Sequence, residues 1–322
     1  MPGFFSTAYK FMRLRGRRSL FDRAYLVQFE TGERGRPRAL STEGLRVERD
    51  LCYHPQPDGD GSEQSLDIYA PADAAATDKS LPVVVFMHGG GWRAADKRDP
   101  LGVHANICTA LAGRGLVAVN VNYRLSPRVR HPAHALDVAH ALSWVKQNIR
   151  SFGGDAGNIF ASGHSSGAHL AALVTLDERY LHEAGATTST AFIKGVIGIS
   201  GIYNIAHFAG RNRMALCLMT RPAFGADPQA WADASPVHHA RKAAPPFLMI
   251  NAAEDERLEE EAAELAALLR RAGGNADTLV LPGTNHFTIL GFVGNGDDTL
   301  IERIVKFVNE RRNSEARIQN SE

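Results

Sequence analysis

Gly163-His164-Ser165-Ser166-Gly167 is a G-x-S-x-G sequence, set between the strand-like run Asn158–Ala161 and an apolar, alanine-rich stretch, Ala168 to Leu176. A chain that turns sharply from strand to helix needs small residues on both sides of the turn. Such a turn lifts the serine hydroxyl above the sheet edge, near the positive end of the following helix. A serine at its free pKa is a poor nucleophile and needs a base that is itself held by an acid. The chain has 13 histidines, so the base must be chosen by placement. His286, in Pro282-Gly283-Thr284-Asn285-His286-Phe287, follows the last predicted strand. Asp255, in Asn251-Ala252-Ala253-Glu254-Asp255-Glu256, follows the strand before it. Both therefore lie beyond carboxyl ends of strands, at the sheet edge where Ser165 stands. Glu254 and Glu256 flank Asp255 and are the alternatives for the acid. The turn is expected to point His164 elsewhere, His238 and His239 belong to an irregular stretch, and His131, His134 and His140 show no catalytic placement.

A second cluster supplies what acyl transfer also needs. His88-Gly89-Gly90-Gly91-Trp92 lies just past the buried run Pro82–Met87. Consecutive glycines let the backbone approach a ligand and aim N–H groups at it, where a tetrahedral intermediate's oxygen becomes negative. The expected donors are the amides of Gly90, Gly91 and Ser166, with Gly89 shaping the turn. No G-K-[ST] follows, so a phosphate cradle is disfavoured. Trp92 and Phe287 are candidates for a pocket wall, with ordinary packing as the alternative for each.

These residues need a scaffold, and the hydrophobic pattern indicates one. Strand-like runs occur at Leu66–Tyr69, Pro82–Met87, Leu116–Val121, Asn158–Ala161, Lys194–Ile199, Pro246–Asn251 and Thr278–Leu281. Helical periodicity separates the later ones: Val138, Leu142, Val145 and Ile149 share a face, as do Leu258, Ala262, Leu265, Leu269 and Ala272 until Gly273-Gly274. Ile301, Ile304, Val305 and Val308 form a last amphipathic face. Strands apolar throughout that alternate with such helices predict a three-layer α/β fold, with a mostly parallel sheet covered on both faces. Residues 203–240 break the rhythm, and are read as either an irregular excursion packed on the core or a partial cap over a pocket.

Composition bounds the function classes. The chain has 322 residues, 44% hydrophobic and 22% charged, with a formal net charge of +1. The mean hydropathy is −0.21. Wholesale disorder and a phosphate-neutralising, nucleic-acid-binding role are disfavoured. No apolar run reaches the roughly 18 residues of a membrane-spanning helix. Cys52, Cys108 and Cys217 have no C-x-x-C spacing, which argues against a disulfide framework or a structural zinc and fits a cytoplasmic location. Phe4, Phe5, Tyr9, Phe11 and Met12 precede Arg13, Arg15, Arg17 and Arg18, the reverse of a secretory signal. That segment either docks on its own domain or forms a basic amphipathic helix touching anionic membrane. The expected organisation is one domain over 1–322, with 1–65 as an N-terminal extension.

The motifs together carry a resemblance. HGGGW, Asn122-Tyr123-Arg124-Leu125-Ser126-Pro127, Phe152-Gly153-Gly154-Asp155, GHSSGAHLAAL and Asn285-His286-Phe287 resemble the α/β-hydrolase esterases and lipases over roughly residues 66–311. Within them, HGGGW is similar to the hormone-sensitive-lipase-like carboxylesterases, whose nucleophile turn usually reads GDSAGG. GHSSGAHL looks closer to kynurenine formamidases, whose glycine motif is commonly HGGYW-like. Ala252 replaces the usual glycine before the acid loop. The resemblance implies a serine carboxylesterase for small esters that needs no metal or cofactor. Ser165 would be the nucleophile, His286 the base, Asp255 the acid, and Gly90, Gly91 and Ser166 the oxyanion donors. An arylformamidase acting on an N-formyl aromatic amine is the runner-up. A non-catalytic binding protein on this fold is a third reading, disfavoured because all three triad types stand in order.

Overall fold

The structure, a computed structural model, describes residues 37–319 apart from 56–61, 77–79, 100, 186–189, 212 and 214. The basic segment Phe4–Arg18 lies outside the described residues. One sheet of eight strands runs in the order β1-β2-β4-β3-β5-β6-β7-β8. The strands are β1 Leu45–Cys52, β2 Ser65–Pro71, β3 Leu81–Met87, β4 Val117–Val121, β5 Gly154–His164, β6 Ile193–Ile199, β7 Phe247–Glu254 and β8 Ala276–Asn285. β2 is antiparallel to both its neighbours, and every other pairing is parallel.

The central strands are apolar throughout because both their faces are covered. On β3, Val83, Val85 and Met87 enter one core while Val84 and Phe86 enter the other. Five long helices provide the cover: α1 Val103–Ala112, α2 Ala133–Asn148, α3 Ser166–Leu176, α4 Leu258–Arg271 and α5 Thr299–Gln319. Val138 and Leu142 of α2, Leu170 and Leu173 of α3, and Leu258, Ala262 and Leu265 of α4 pack on the first face. Ile107 and Leu111 of α1 and Ile301, Ile304 and Val308 of α5 pack on the second. The three-layer expectation therefore describes the observed architecture.

Two elements escaped the sequence pattern. β1 falls inside the stretch read as an extension over 1–65, yet it pairs with β2 and completes the sheet. Its Arg46, Glu48, Arg49 and Asp50 hide the strand signal, and a charged edge of this kind also deters pairing with another chain. α1 carries His104, Asn106 and Thr109 among its buried residues, which blurs the apolar stripe.

Residues 203–240 form short turns of helix, among them Ile205–Arg211, Ala215–Thr220, Arg221–Phe224 and Pro228–Asp233. They are tied to the body at several points. Glu261 of α4, buried, accepts from the amides of Tyr203 (2.7 Å) and Asn204 (2.9 Å) and pairs with Arg211 at 2.9 Å. Arg93 donates to the Leu218 carbonyl, and His131 N–H to Ala223 O at 2.8 Å.

The cores also enclose neutral imidazoles. Burial pushes His88 and His131 down to about 4, and His134 and His169 down to about 3. Each is uncharged when folded but takes up a proton near its ordinary value once the chain unfolds. The unfolded state therefore binds more protons below about pH 6.5, and stability falls as the pH drops from there toward the folded values, by up to about 1.4 kcal/mol per pH unit for each histidine. Urea unfolding followed from pH 7.5 to pH 4.5 is expected to show a steep loss of midpoint below pH 6.5. A flat midpoint across that range would contradict the buried, neutral state of these side chains.

Candidate active site

The turn at Ser165 is built by close backbone approach. β5 ends at His164, Ser165 takes φ 55° and ψ −118°, and α3 begins at Ser166. The Ser165 N–H donates to Ile199 O of β6 at 2.9 Å, and Ser165 O accepts from His169 N–H at 3.1 Å. A positive φ at a non-glycine residue costs energy and persists only where its surroundings fix it. Here they do. A Cβ on Gly163 would lie 2.4 Å from the Gly167 carbonyl carbon, and one on Gly167 would lie 2.1 Å from Met87 O. The G-x-S-x-G glycines are thus required by contact between β5, α3 and the end of β3.

The structure brings Ser165, His286 and Asp255 together. His286 Nε2 stands 3.0 Å from Ser165 Oγ, and His286 Nδ1 stands 2.7 Å from Asp255 Oδ1. A carboxylate can only accept, so Nδ1 carries the proton and Nε2 is left to accept from the serine hydroxyl. Asp255 is buried, and its Oδ2 accepts from Asn251 Nδ2 and from the Ala252 amide, both at 3.2 Å. Burial alone would raise its carboxyl pKa. The hydrogen bond and charge of His286, helped by Ser200 and Asn251, outweigh that and hold it below the usual aspartate value. Glu254 and Glu256, the alternatives in sequence, are exposed. Ala252, in place of the usual glycine, still supplies its amide.

The glycine loop follows β3. Gly90 and Gly91 have φ 112° and 62°, and a Cβ on Gly90 would lie 2.2 Å from Ala94 O. The Gly90 carbonyl turns back to accept from the amides of Arg93 (3.2 Å) and Ala94 (3.1 Å). Tyr123 supports the loop from below: its hydroxyl donates to His88 O at 3.0 Å, and its ring stacks on the His88 ring at 4.5 Å. Ser166, the third expected donor, is the first residue of α3, where helix N–H groups have no intrahelical acceptor.

Trp92 and Phe287, read as pocket wall or as packing, are both buried. Trp92 has no exposed surface; its indole N–H donates to His169 Nδ1 at 3.1 Å, and its ring meets Phe224 edge-on at 4.8 Å. It backs the glycine loop, and its indole N–H, placed in the core, finds the partner it needs there. Phe287 is 5% exposed and meets the His286 ring at 5.2 Å. Met219, by contrast, lies where a Cβ on Gly91 would come within 3.1 Å of its sulfur, so the 203–240 stretch reaches the glycine loop.

His164 corrects an expectation. It does not contact the serine hydroxyl, but it does not point away from the site either: its Nε2 lies 2.8 Å from the main-chain oxygen of His286. Lys97 was missed entirely. Its ammonium, 1% exposed, meets Asp67 at 2.7 Å, Asp50 at 2.8 Å and Ser65 Oγ at 2.9 Å. Its main chain is held by Asn122 and Asn120, each at 2.7 Å. The outgoing end of the glycine loop is thereby fastened to β1, β2 and β4. In sequence Lys97 stands in Asp96-Lys97-Arg98-Asp99, a charged run that reads as a solvated turn.

Among the described residues, no group of three or more His, Cys, Asp or Glu side chains is arranged to hold a metal ion. No helix among them is long and apolar enough to cross a membrane.

The BD-FAE family model matches residues 66–268, which include Ser165 and Asp255 and stop short of His286. Esterase LipC of Mycobacterium tuberculosis is 30% identical over 276 residues, covering 80% of this chain and 65% of that protein. Isoprenylcysteine alpha-carbonyl methylesterase ICME of Arabidopsis thaliana is 28% identical over 284 residues, covering 83% of this chain and 63% of its own length. The chain thus spans under two thirds of the length of these curated relatives. The crystal structure of esterase B from Lactobacillus rhamnosis covers 100% of both chains at a TM-score of 0.77 and 18% identity, a likeness of fold. With the family model matching well over half of its residues, the chain belongs to the BD-FAE family and carries the α/β-hydrolase fold.

Proposed function

We propose that this protein is a serine carboxylesterase acting on small, uncharged esters through an acyl-enzyme. The observation that carries this reading is the relay of Asp255, His286 and Ser165 at 2.7 and 3.0 Å, set beside the Gly90–Gly91 loop. In the first step Ser165 Oγ attacks the ester carbonyl carbon while its proton passes to His286 Nε2. The carbonyl oxygen becomes an oxyanion, facing the amides of Gly90, Gly91 and Ser166. Collapse breaks the bond to the alkoxy oxygen, which takes the proton from His286 and leaves as the alcohol. Water then repeats the attack on the acyl-enzyme, giving the acid and the free serine. Asp255 keeps Nδ1 protonated and stabilises the imidazolium that forms between steps.

The near-balanced charge of the chain suits substrates that need no electrostatic steering. The esterase names of LipC and ICME favour the ester over the N-formyl amine. Cys52, Cys108 and Cys217 are free thiols, which suits a reducing, cytoplasmic setting.

Turnover of p-nitrophenyl acetate and butyrate, set against N-formylkynurenine on one preparation, tests the substrate class. Faster hydrolysis of the esters is expected, and preference for the formamide would overturn the ester reading. Ser165→Ala is expected to lower kcat by about 10⁴-fold or more, and Asp255→Asn by about 10⁴-fold, because the wrong histidine tautomer then faces the serine. Glu254→Gln should change kcat by less than about twofold, as is usual for an exposed side chain. A Ser165→Ala protein with undiminished turnover would refute the mechanism, and a larger loss at Glu254 than at Asp255 would move the acid.

A further inference from the structure

We propose that His164 is a positioning residue that holds the general-base loop and the glycine loop in register with Ser165. The inference rests on the serine-hydrolase reading above. His164 is the last residue of β5, opposite Ile199 of β6, and directly precedes Ser165. It is therefore as firmly placed as the nucleophile itself. Its side chain is buried, with the residue 2% exposed.

One imidazole touches both loops. At one end, Nε2 lies 2.8 Å from the His286 carbonyl oxygen. A carbonyl only accepts, so Nε2 carries the hydrogen and donates it. At the other end, Nδ1 has no hydrogen-bond partner among the described residues. It lies so close to Gly89 that a Cβ there would be 2.6 Å away. The ring also sits 4.7 Å from the His286 ring, tilted by 43°. The carbonyl that His164 fixes belongs to the residue whose own imidazole must meet Ser165 at 3.0 Å and Asp255 at 2.7 Å.

The donation requires a neutral ring with its hydrogen on Nε2. Burial, first, and then the neighbouring His286 and His104 keep His164 from taking a second proton, against the opposing pull of Asp255 and the His286 carbonyl. A bare, buried Nδ1 without a partner is a cost that ordinary core packing avoids. Leucine would fill this space without it. The arrangement is intelligible if the Nε2–H bond to the base loop is what the side chain supplies. The loop's other anchors lie on the far side from β5: Asn285 pairs with Glu254 of β7 and Phe287 packs in the second core, while Asn285 Oδ1 accepts from the amides of Phe287 (3.0 Å) and Thr288 (2.9 Å) and shapes the turn.

Three substitutions separate this role from packing. In His164→Gln the side-chain amide nitrogen reaches about as far as imidazole Nε2. In His164→Asn it stops near the Nδ1 position, and His164→Leu has no donor. The Asn and Leu proteins are expected to lose about 10- to 100-fold in kcat on p-nitrophenyl butyrate with KM changed less than about threefold, because misplacing a base costs transition-state stabilisation more than ground-state binding. His164→Gln should stay within about fivefold of the unsubstituted protein, since the donor to the buried carbonyl is retained. The low-field proton resonance of His286 Nδ1–H, bonded to Asp255, should persist in the Gln protein and broaden or move upfield in the Asn protein. Equal activities for Gln and Asn, or a loss confined to KM, would overturn the proposal. The Gln–Asn pair decides the matter even if the Leu protein does not fold. Ser165→Ala is measured in parallel. If it keeps turnover, the serine-hydrolase reading fails; if it is inactive while His164→Asn matches the parent in kcat and resonance, only the positioning role fails.

Discussion

The site depends on one close approach of backbones, where the turn at Ser165 presses against the end of β3. Gly167 and Met87 O leave no space for a side chain between them, and Gly163 packs as tightly on Gly167. This contact holds Ser165 at a φ that its side chain disfavours, and it also brings the start of α3 beside the start of the glycine loop. Ser165, the first turn of α3 and the glycine loop, from separate parts of the chain, thus share one location. The strain at Ser165 is local, and the apolar burial of β3, β5 and α3 sustains it.

Around that point, polar groups in the interior fix what apolar packing leaves free. Hydrophobic contact is non-directional and sets distances between layers, whereas a hydrogen bond from a buried donor sets an orientation. Asn251 and Ala252 orient the Asp255 carboxylate, Tyr123 fastens the His88 carbonyl, and the Lys97 ammonium joins the glycine loop to Asp50 and Asp67. His169 repeats the pattern at the back of the site: it accepts from the Trp92 indole and donates to Ala234 O at 2.7 Å, linking the glycine loop, α3 and the 203–240 stretch. These bonds need neutral histidines, so the same interior that orients the site makes the fold sensitive to acid.

The 203–240 stretch is tied to the body along its whole length. Its first residues hang on Glu261, its middle touches Arg93 and Gly91, and its end meets His169. Arg93 and Gly91 belong to the glycine loop, and His169 lies on α3 behind Ser165. Substitutions in this stretch can therefore reach the glycine loop and His169.

The sequence by itself determined the layer architecture and singled out Ser165, Asp255 and His286 as candidates. Period and turn chemistry are local: the apolar runs at Pro82–Met87 and Lys194–Ile199, the helical faces of α2 and α4, the glycines around Ser165, and the order Ser165, Asp255, His286 can all be read within short windows. β1 was not legible because its charged edge residues mask a period of two, and α1 because it buries polar side chains. Among the three adjacent acids, only the tertiary structure shows which one meets His286, because Asp255 and that histidine are 31 residues apart. The same holds for Lys97, whose charged surroundings in sequence suggest solvent, and for Trp92, whose depth depends on His169. His164 is the sharpest case. Its place beside Ser165 is written in the turn, but its contact with a carbonyl 122 residues further on is not. Hydrogen-bond partners brought together by folding leave no trace in local composition, which is why orientation was decided in three dimensions while layer and motif were already set in one.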